Sequence, residues 1–158
     1  MQIAKNIKTL NIITNDISTC NKLEEYLYNE YGIMLNIANN KRKSLLNAEL
    51  ILNIDFPEEL INKYKICKNA IIINFEDKIK INSKRFEGIN INYYKIAIPS
   101  KYKLDNFKNE LIYESIILHQ NNDFKNIMEK LKKDKIKIKK LIGNNGLINE
   151  KEIVQIRV

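Results

Sequence analysis

In the first half of the chain, segments whose apolar residues recur at helical spacing alternate with short apolar runs that are typical of strands. Between the first two apolar runs, apolar residues recur at helical spacing from Ile17 to Tyr31, and Gly32 then ends the predicted helix. A shorter helix is predicted from Pro57 to about Tyr64, because proline suits a first helical turn. Four short runs rich in β-branched and other apolar residues predict buried strands: Leu10–Thr14, Ile33–Ala38, Leu50–Ile54 and Ala70–Phe75. No hairpin turn separates these strands, so the pattern predicts a parallel α/β core over residues 8–75.

The second half of the chain is less regular. Asp123 is a plausible cap for one of its two predicted helices. The predicted elements are an edge strand at Lys78–Ile81, a strand within Ile89–Ile98, helices from about Leu104 to Leu118 and from Phe124 to Leu131, an alternating strand at Lys135–Ile142, a turn at Gly143–Gly146 and a last strand at Val154–Val158.

Two segments of the first half resemble a known family. Leu46-Asn-Ala-Glu-Leu-Ile-Leu-Asn-Ile-Asp-Phe-Pro57 and Asn69-Ala-Ile-Ile-Ile-Asn-Phe75 resemble two phrases of the NAD(P)-binding Rossmann-like domains of the shikimate dehydrogenase and glutamyl-tRNA reductase type. The resemblance covers about residues 8–76. It implies a Rossmann-like, mostly parallel sheet flanked by helices, and NAD(P) as the cofactor class. None of the four glycines forms G-x-G-x-x-G after a strand, so the phosphate-binding turn of that family is missing. The resemblance therefore supports the fold and undercuts the cofactor.

These patterns together predict an α/β fold in two parts. Residues 1–100 are predicted to form the Rossmann-like core. Residues 101–158 are predicted to form a helical and β-hairpin extension, a C-terminal appendage packed on or beside that core. A single domain over the whole chain is the alternative.

Composition narrows the class of protein. Hydrophobic residues make up 44% of the 158 residues and charged residues 29%, which is typical of a globular chain. No apolar run approaches the roughly 18–20 residues of a membrane span, and the first residues are too polar for a secretory signal, so we expect a cytoplasmic protein without membrane contact. Cys20 and Cys67 are far apart in sequence, which favours two buried thiols over a disulfide or a metal site.

Candidate ligand contacts lie at the ends of the predicted strands. In the resemblance, Asn15 and Asp16 stand where the family contacts the ribose. In an alternative alignment, Asn15–Thr19 is an unconventional phosphate turn, and Lys41 and Arg42, in the loop that begins at Asn39, meet a 2′-phosphate. Asp55 lies where a parallel strand ends and a helix begins, the edge at which open α/β sheets bind ligands. Its alternative role is a helix cap before Pro57, and Asn53 and Asn74 are expected to satisfy local polar needs.

The net charge of +8 raises a nucleic-acid interpretation. The basicity is local, because the segment Lys130–Lys140 holds seven lysines and one acid. Against a nucleic-acid surface, this segment has no arginine and no aromatic residue for base stacking, so a solvated face is the favoured alternative. The candidate polyanion contacts are Lys130, Lys132, Lys133, Lys135, Lys137, Lys139 and Lys140.

No residue pattern of a catalytic centre stands out. His119 is the only histidine and has no paired acid or second metal ligand in its neighbourhood of the sequence. The sequence therefore favours a non-catalytic binding or interaction module derived from a nucleotide-binding domain, with a protein partner or a second copy of the chain as its partner. An NAD(P)-type binding protein and a nucleic-acid accessory protein remain the alternatives.

Overall fold

The computed structural model describes residues 9–15, 20–38, 45–75, 78–82, 84, 86–121 and 123–149. In chain order the elements are β1 (Thr9–Ile13), α1 (Asn21–Tyr31), β2 (Met34–Ala38), β3 (Leu50–Asn53), α2 (Glu58–Ile61), β4 (Ile71–Asn74), β5 (Ile89–Ala97), a 3-10 turn (Ser100–Tyr102), α3 (Asn109–Gln120), α4 (Phe124–Lys133), β6 (Lys137–Gly143) and β7 (Gly146–Ile148).

The strands form a seven-stranded sheet in the order β2-β1-β3-β4-β5-β6-β7. Parallel pairs join β1 to both β2 and β3, β3 to β4, and β4 to β5. β6 and β7 pair antiparallel across the turn between Gly143 and Gly146. The predicted α/β class with a mostly parallel sheet is therefore confirmed.

The winding of the sheet reverses at β1. The chain passes from β1 to β2 on one side and returns to place β3 on the other side. The resulting order of the first five strands, 2-1-3-4-5, is one of the two common orders of doubly wound sheets. In such sheets the crevice outside the carboxyl ends of the strands at the reversal point is the usual ligand site. Here that point, the switch point, lies between the ends of β1 and β3.

The chain divides into two compact units. Unit 1 comprises Met1–Tyr93 with Leu141–Val158, and unit 2 comprises Tyr94–Lys140. The domain boundary expected at residue 100 stays a prediction. The predicted last strand Val154–Val158 lies outside the described residues, so the helix-and-hairpin appendage also stays a prediction.

Unit 1 buries apolar residues on both faces of its parallel strands. On one face, Ile13, Ile51 and Ile72 pack in a cluster with Phe56, which precedes α2, and with Ile61 of α2. On the other face, a second cluster includes Leu10, Ile12, Cys20 and Leu35, and Leu23 and Leu27 of α1 pack against it. The neighbours Ile12 and Ile13 thus enter opposite clusters, as the two-residue period of a strand requires. The α1 helix ends at Gly32, whose N–H donates to the Tyr28 carbonyl, and the positive φ of 64° at Gly32 lets the next N–H, that of Ile33, donate to the Leu27 carbonyl.

Unit 2 has its own small core. Ile98, Tyr113 and Ile117 are buried in it, and the partly buried Ile127 and Leu131 of α4 pack against them. Asp123 caps α4 as predicted, since its side chain accepts from the N–H groups of Lys125 and Asn126.

Three predicted elements are wrong in extent or type. The helix predicted from Pro57 to about Tyr64 is shorter, since α2 comprises only Glu58–Ile61. Lys78–Ile81 is not a strand, because its backbone groups bond to side chains in and just after α2. The Lys80 N–H donates to Glu58 Oε2, and the Lys80 carbonyl accepts from Asn62 Nδ2.

The helix expected from Leu104 begins only at Asn109. Asn106 has a positive φ of 67°, which interrupts a helix, and Leu104 and Phe107 are exposed.

We predict that Gly88→Ala costs more stability than Gly32→Ala. A Cβ at Gly88 would lie 2.0 Å from the carbonyl oxygen of Ala70, whose position is held by its bond to the Ile89 N–H, so the start of β5 must shift. A Cβ at Gly32 meets open space and adds only the backbone strain of a positive φ, about 1–2 kcal/mol. We expect a loss of about 3 kcal/mol for Gly88→Ala, measured by urea unfolding. An equal or smaller loss than in Gly32→Ala would contradict this packing.

Candidate functional site

The switch point brings together two residues that the sequence singled out. Asn15 follows β1 and Asp55 follows β3, and the Asn15 N–H donates to both carboxylate oxygens of Asp55 at 2.9 Å. The Thr14 hydroxyl donates to Oδ2 of the same carboxylate at 3.4 Å. Residues 40 positions apart in the chain thus join the carboxyl ends of two neighbouring strands.

This contact defines what Asp55 does in the fold. The N-cap of α2 is Pro57, without a side-chain hydrogen bond, so the alternative role of Asp55 as the cap of that helix is wrong. Hydrogen bonds to a charged group are worth about 1.5–3 kcal/mol, which makes the Asp55–Asn15 contact a substantial link. An ionised carboxylate has about four acceptor positions, and a ligand hydroxyl or amine fits those left over.

Beside the switch point, buried asparagines cross the sheet. Asn53 and Asn74 are the last residues of β3 and β4 and lie opposite each other in register. Asn53 Nδ2 donates to Asn74 Oδ1 at 3.0 Å, and Asn53 also accepts from the N–H of Phe56 at 3.0 Å. The expectation that these two asparagines satisfy local polar needs is confirmed.

The same hydrogen-bonded series continues onto β5. Asn74 Nδ2 donates to Oδ1 of Asn90 at 2.7 Å and to Oδ1 of Asn92 at 2.9 Å. Both of these amides then donate to Asn144 Oδ1 in the β6–β7 turn, at 2.9 and 2.7 Å. We call these five side chains the amide ladder: Asn53, Asn74, Asn90, Asn92 and Asn144.

The hydrogen bonds of the amide ladder offset the free-energy cost of burying polar side chains in unit 1. Asn53, Asn74 and Asn90 are each less than a tenth exposed, and an unpaired amide there would cost about 1–3 kcal/mol. Within the described ranges, no buried side-chain nitrogen or oxygen lacks a hydrogen-bond partner. The ladder is therefore a structural network in which each amide is bonded to its neighbour.

The remaining predicted cofactor contacts cannot be placed at this site. Asp16, Asn39, Lys41 and Arg42 lie outside the described residues. Their roles at a ribose or phosphate stay predictions, and of the predicted cofactor contacts only Asn15 and Asp55 are brought together here.

The seven lysines of the predicted polyanion patch differ in their contacts and in their exposure. Lys130 is turned into unit 2, where its Nζ donates to Tyr102 Oη at 3.0 Å and forms an ion pair with Asp134. Lys132 and Lys133 on α4, Lys135 after it, and Lys137, Lys139 and Lys140 on β6 are exposed. Ile138 is also half exposed, so this end of β6 does not alternate cleanly between a buried and a solvated face.

Asp134 is the centre of an ionic cluster in unit 2. Its carboxylate accepts from Lys130 and from the hydroxyl of Tyr113 at 2.9 Å, and Lys101 Nζ lies 3.9 Å away. The hydrogen bond from Lys130, helped by Tyr113, holds the pKa of Asp134 below its usual value. Burial, and then the bond to Asp134, raises the pKa of Tyr113 to about 12. The bond from Lys130 lowers the pKa of Tyr102, whose ring centre also lies 4.7 Å from Lys101 Nζ.

Several of these partners were missed by sequence reasoning. Asn90 and Asn92 stand two apart in an apolar strand, and that spacing was the available signal for a polar row on one face. Asn144 lies in the predicted turn Gly143–Gly146, and no local pattern links it to β5. Nothing in the sequence pairs Asp134 with Tyr113, because they lie 21 positions apart on different elements.

Other kinds of site receive no support from the described part of the chain. It contains no group of three or more metal-binding side chains. His119 is exposed at the end of α3, and Cys20 and Cys67 are not joined to each other by a disulfide. None of the helices within the described ranges is long and apolar enough to cross a membrane.

Comparison with known proteins gives no relative for this chain: no protein-family model, no curated protein and no solved structure matches it.

We predict that Asp134→Asn destabilises the protein at neutral pH by about 1–3 kcal/mol, because it weakens charge-assisted bonds to Lys130 and Tyr113. Since folding lowers the pKa of Asp134, its stabilisation is present above the ordinary aspartate pKa and is lost as the pH falls through the lowered value. The gap in unfolding free energy between wild type and variant should therefore narrow below about pH 4.

The measurement is urea unfolding at several pH values, with Asp105→Asn at an exposed aspartate as the control. A gap that stays constant down to pH 2 would show that Asp134 contributes by packing and not by charge.

Proposed function

We propose that the protein is a non-catalytic binding module on a Rossmann-like scaffold, derived from a nucleotide-binding domain, in which the polar carboxyl edge of the sheet mainly stabilises the fold. The observation that carries this proposal is the contact of both Asp55 oxygens with the Asn15 N–H at 2.9 Å. A carboxylate that serves as a general base needs access to a substrate proton, whereas this one is directed at the backbone of β1.

The amide ladder supports the same proposal. Asparagine side chains neither ionise nor act as nucleophiles in ordinary protein chemistry, and those of the ladder bond to one another. A reaction centre usually combines perturbed titratable groups within a cleft. The titratable groups with displaced pKa values in unit 2 instead form an ionic cluster that joins α3, α4 and the 3-10 turn.

A second candidate function is binding of an NAD(P)-type nucleotide at the switch point. It is favoured by the position of Asn15 and Asp55, since doubly wound sheets bind ligands at this crevice. The free acceptor positions of Asp55 suit the two hydroxyls of a ribose. This candidate requires an unconventional phosphate turn after Asn15, in the absence of a G-x-G-x-x-G motif.

Location and partner complete the proposal. For location we propose the cytoplasm, where cysteines such as Cys20 and Cys67, which do not pair with each other, are usual. The proposed partner of the module is another protein or a second copy of the chain. A nucleic-acid role for the whole Lys130–Lys140 segment is weaker, because Lys130 is engaged by Asp134 and Tyr102.

A thermal-shift screen with NAD, NADP, ATP and S-adenosylmethionine, each at about 1 mM, separates the two candidate functions. A nucleotide at about 100 times its Kd would stabilise the fold by about 2.7 kcal/mol and raise Tm by several degrees. If the protein is the non-catalytic module, we expect that no nucleotide raises Tm in a way that depends on Asp55. We also expect Asp55→Ala alone to cost about 1.5–3 kcal/mol, because the Asn15 N–H loses a charged acceptor.

The control variant is Asn36→Ala, at an exposed asparagine on β2. A rise in Tm of several degrees with one nucleotide, retained in Asn36→Ala and lost in Asp55→Ala, would overturn the module and establish the nucleotide-binding alternative. Any ATP effect that survives Asp55→Ala arises elsewhere on the chain.

A further inference from the structure

A groove in unit 2 concentrates lysines from separate parts of the chain. It has a volume of about 220 Å³ and is bordered by β5, the segment after the 3-10 turn, the first turn of α3, and β6. Its floor includes the buried Ile98 and the partly buried Ile96. Four lysines line it: Lys95, Lys103, Lys139 and Lys140.

These lysines are not paired with any carboxylate among the described residues. All four are exposed, and none has an ion-pair partner within the part of the chain that the structure describes. The carboxylate that lines the same groove, Glu110, leaves a clear excess of positive charge. Lys130 differs, since Asp134 and Tyr102 already engage it. The groove therefore holds ammonium groups that are available to an external anion.

Further donors point to the same ligand chemistry. Asn109 Oδ1 accepts from the Leu104 N–H at 2.7 Å, which fixes the amide so that Nδ2 keeps two N–H donors. The groove also lies at the first turn of the 12-residue helix α3, where the helix dipole adds to the attraction of the lysines for an anion.

We infer that this groove is a binding site for a compact phosphorylated small molecule of the diphosphate or triphosphate type. Lysine binds phosphate as a point charge, and several lysines around one cavity match the multiple charges of a polyphosphate. The volume suits a few phosphate groups, and none of the described residues that line the groove is an aromatic that could stack on a base. A small ligand is therefore favoured over a nucleic-acid strand. The site is independent of the switch point, and its test is separable from the nucleotide screen.

The experiment is titration of the full chain with inorganic tripolyphosphate, followed by calorimetry at about 50 and 200 mM salt. The test variant replaces the four groove lysines together by glutamine (K95Q, K103Q, K139Q and K140Q). The matched control removes the same charge from four other exposed lysines of unit 2 (K125Q, K132Q, K133Q and K137Q). We expect the groove variant to bind at least tenfold more weakly than wild type, and the control to stay within about threefold.

A single substitution tests the polarity of the groove without removing a lysine. Glu110→Gln takes away the carboxylate that repels an anion, so we expect it to tighten tripolyphosphate binding several-fold. The higher salt concentration should weaken binding by the wild type, since the exposed charges are screened.

Three results would overturn the inference. One is the absence of tripolyphosphate binding to the wild type at 50 mM salt. The second is an equal loss of affinity in the groove and control variants, which would indicate only the diffuse positive field. The third is tighter binding of a 20-nucleotide single-stranded RNA that the control variant weakens more than the groove variant, which would establish a nucleic-acid surface. None of these results bears on whether Asp55 mainly stabilises the sheet edge.

Discussion

Hydrogen bonds between asparagine side chains on neighbouring parallel strands are the constraint on which unit 1 depends. Asn53 and Asn74 meet at matching ends of β3 and β4, and the series continues to Asn92 on β5. A slip of one residue in either strand pairing would turn these amides to the opposite face and leave buried donors and acceptors unpaired. The amide ladder thus fixes the register of three strands, which apolar side chains of similar size would specify less strictly.

That structural role bears on function. The carboxyl edge of a doubly wound sheet is usually reserved for a ligand, yet in this chain Asp55 holds the end of β1 and the asparagines hold each other. The positive charge is greatest elsewhere, in unit 2, where Lys130 is engaged internally while Lys95, Lys103, Lys139 and Lys140 border a groove. In the function and the groove site that we propose, stability at the sheet edge and anion binding in unit 2 are carried by different residues.

The sequence could predict the sheet because its signals are local. The β-branched runs, the stop at Gly32 and the cap at Asp123 each depend on a few neighbouring residues, and all three are found in the structure. The strand predicted at Lys78–Ile81 is wrong because the backbone there bonds to the side chains of Glu58 and Asn62. These contacts join distant positions of the chain, and no local period encodes them. The chain topology likewise produces the pairing of Asn15 with Asp55, the links from Asn92 to Asn144, and the positions of the groove lysines Lys95 and Lys103.

The most direct test of this account is a double-mutant cycle on the amide ladder. Asn53→Ala, Asn74→Ala and the double variant would be compared by urea unfolding, with Asn74→Ala combined with Asn36→Ala, at an exposed position of β2, as the control cycle. We predict a coupling free energy of about 1–3 kcal/mol between Asn53 and Asn74, and additivity within about 0.5 kcal/mol for the control. If Asn53 and Asn74 were also additive, the ladder would not be a cooperative network and the register of β3 and β4 would have to rest on apolar packing alone.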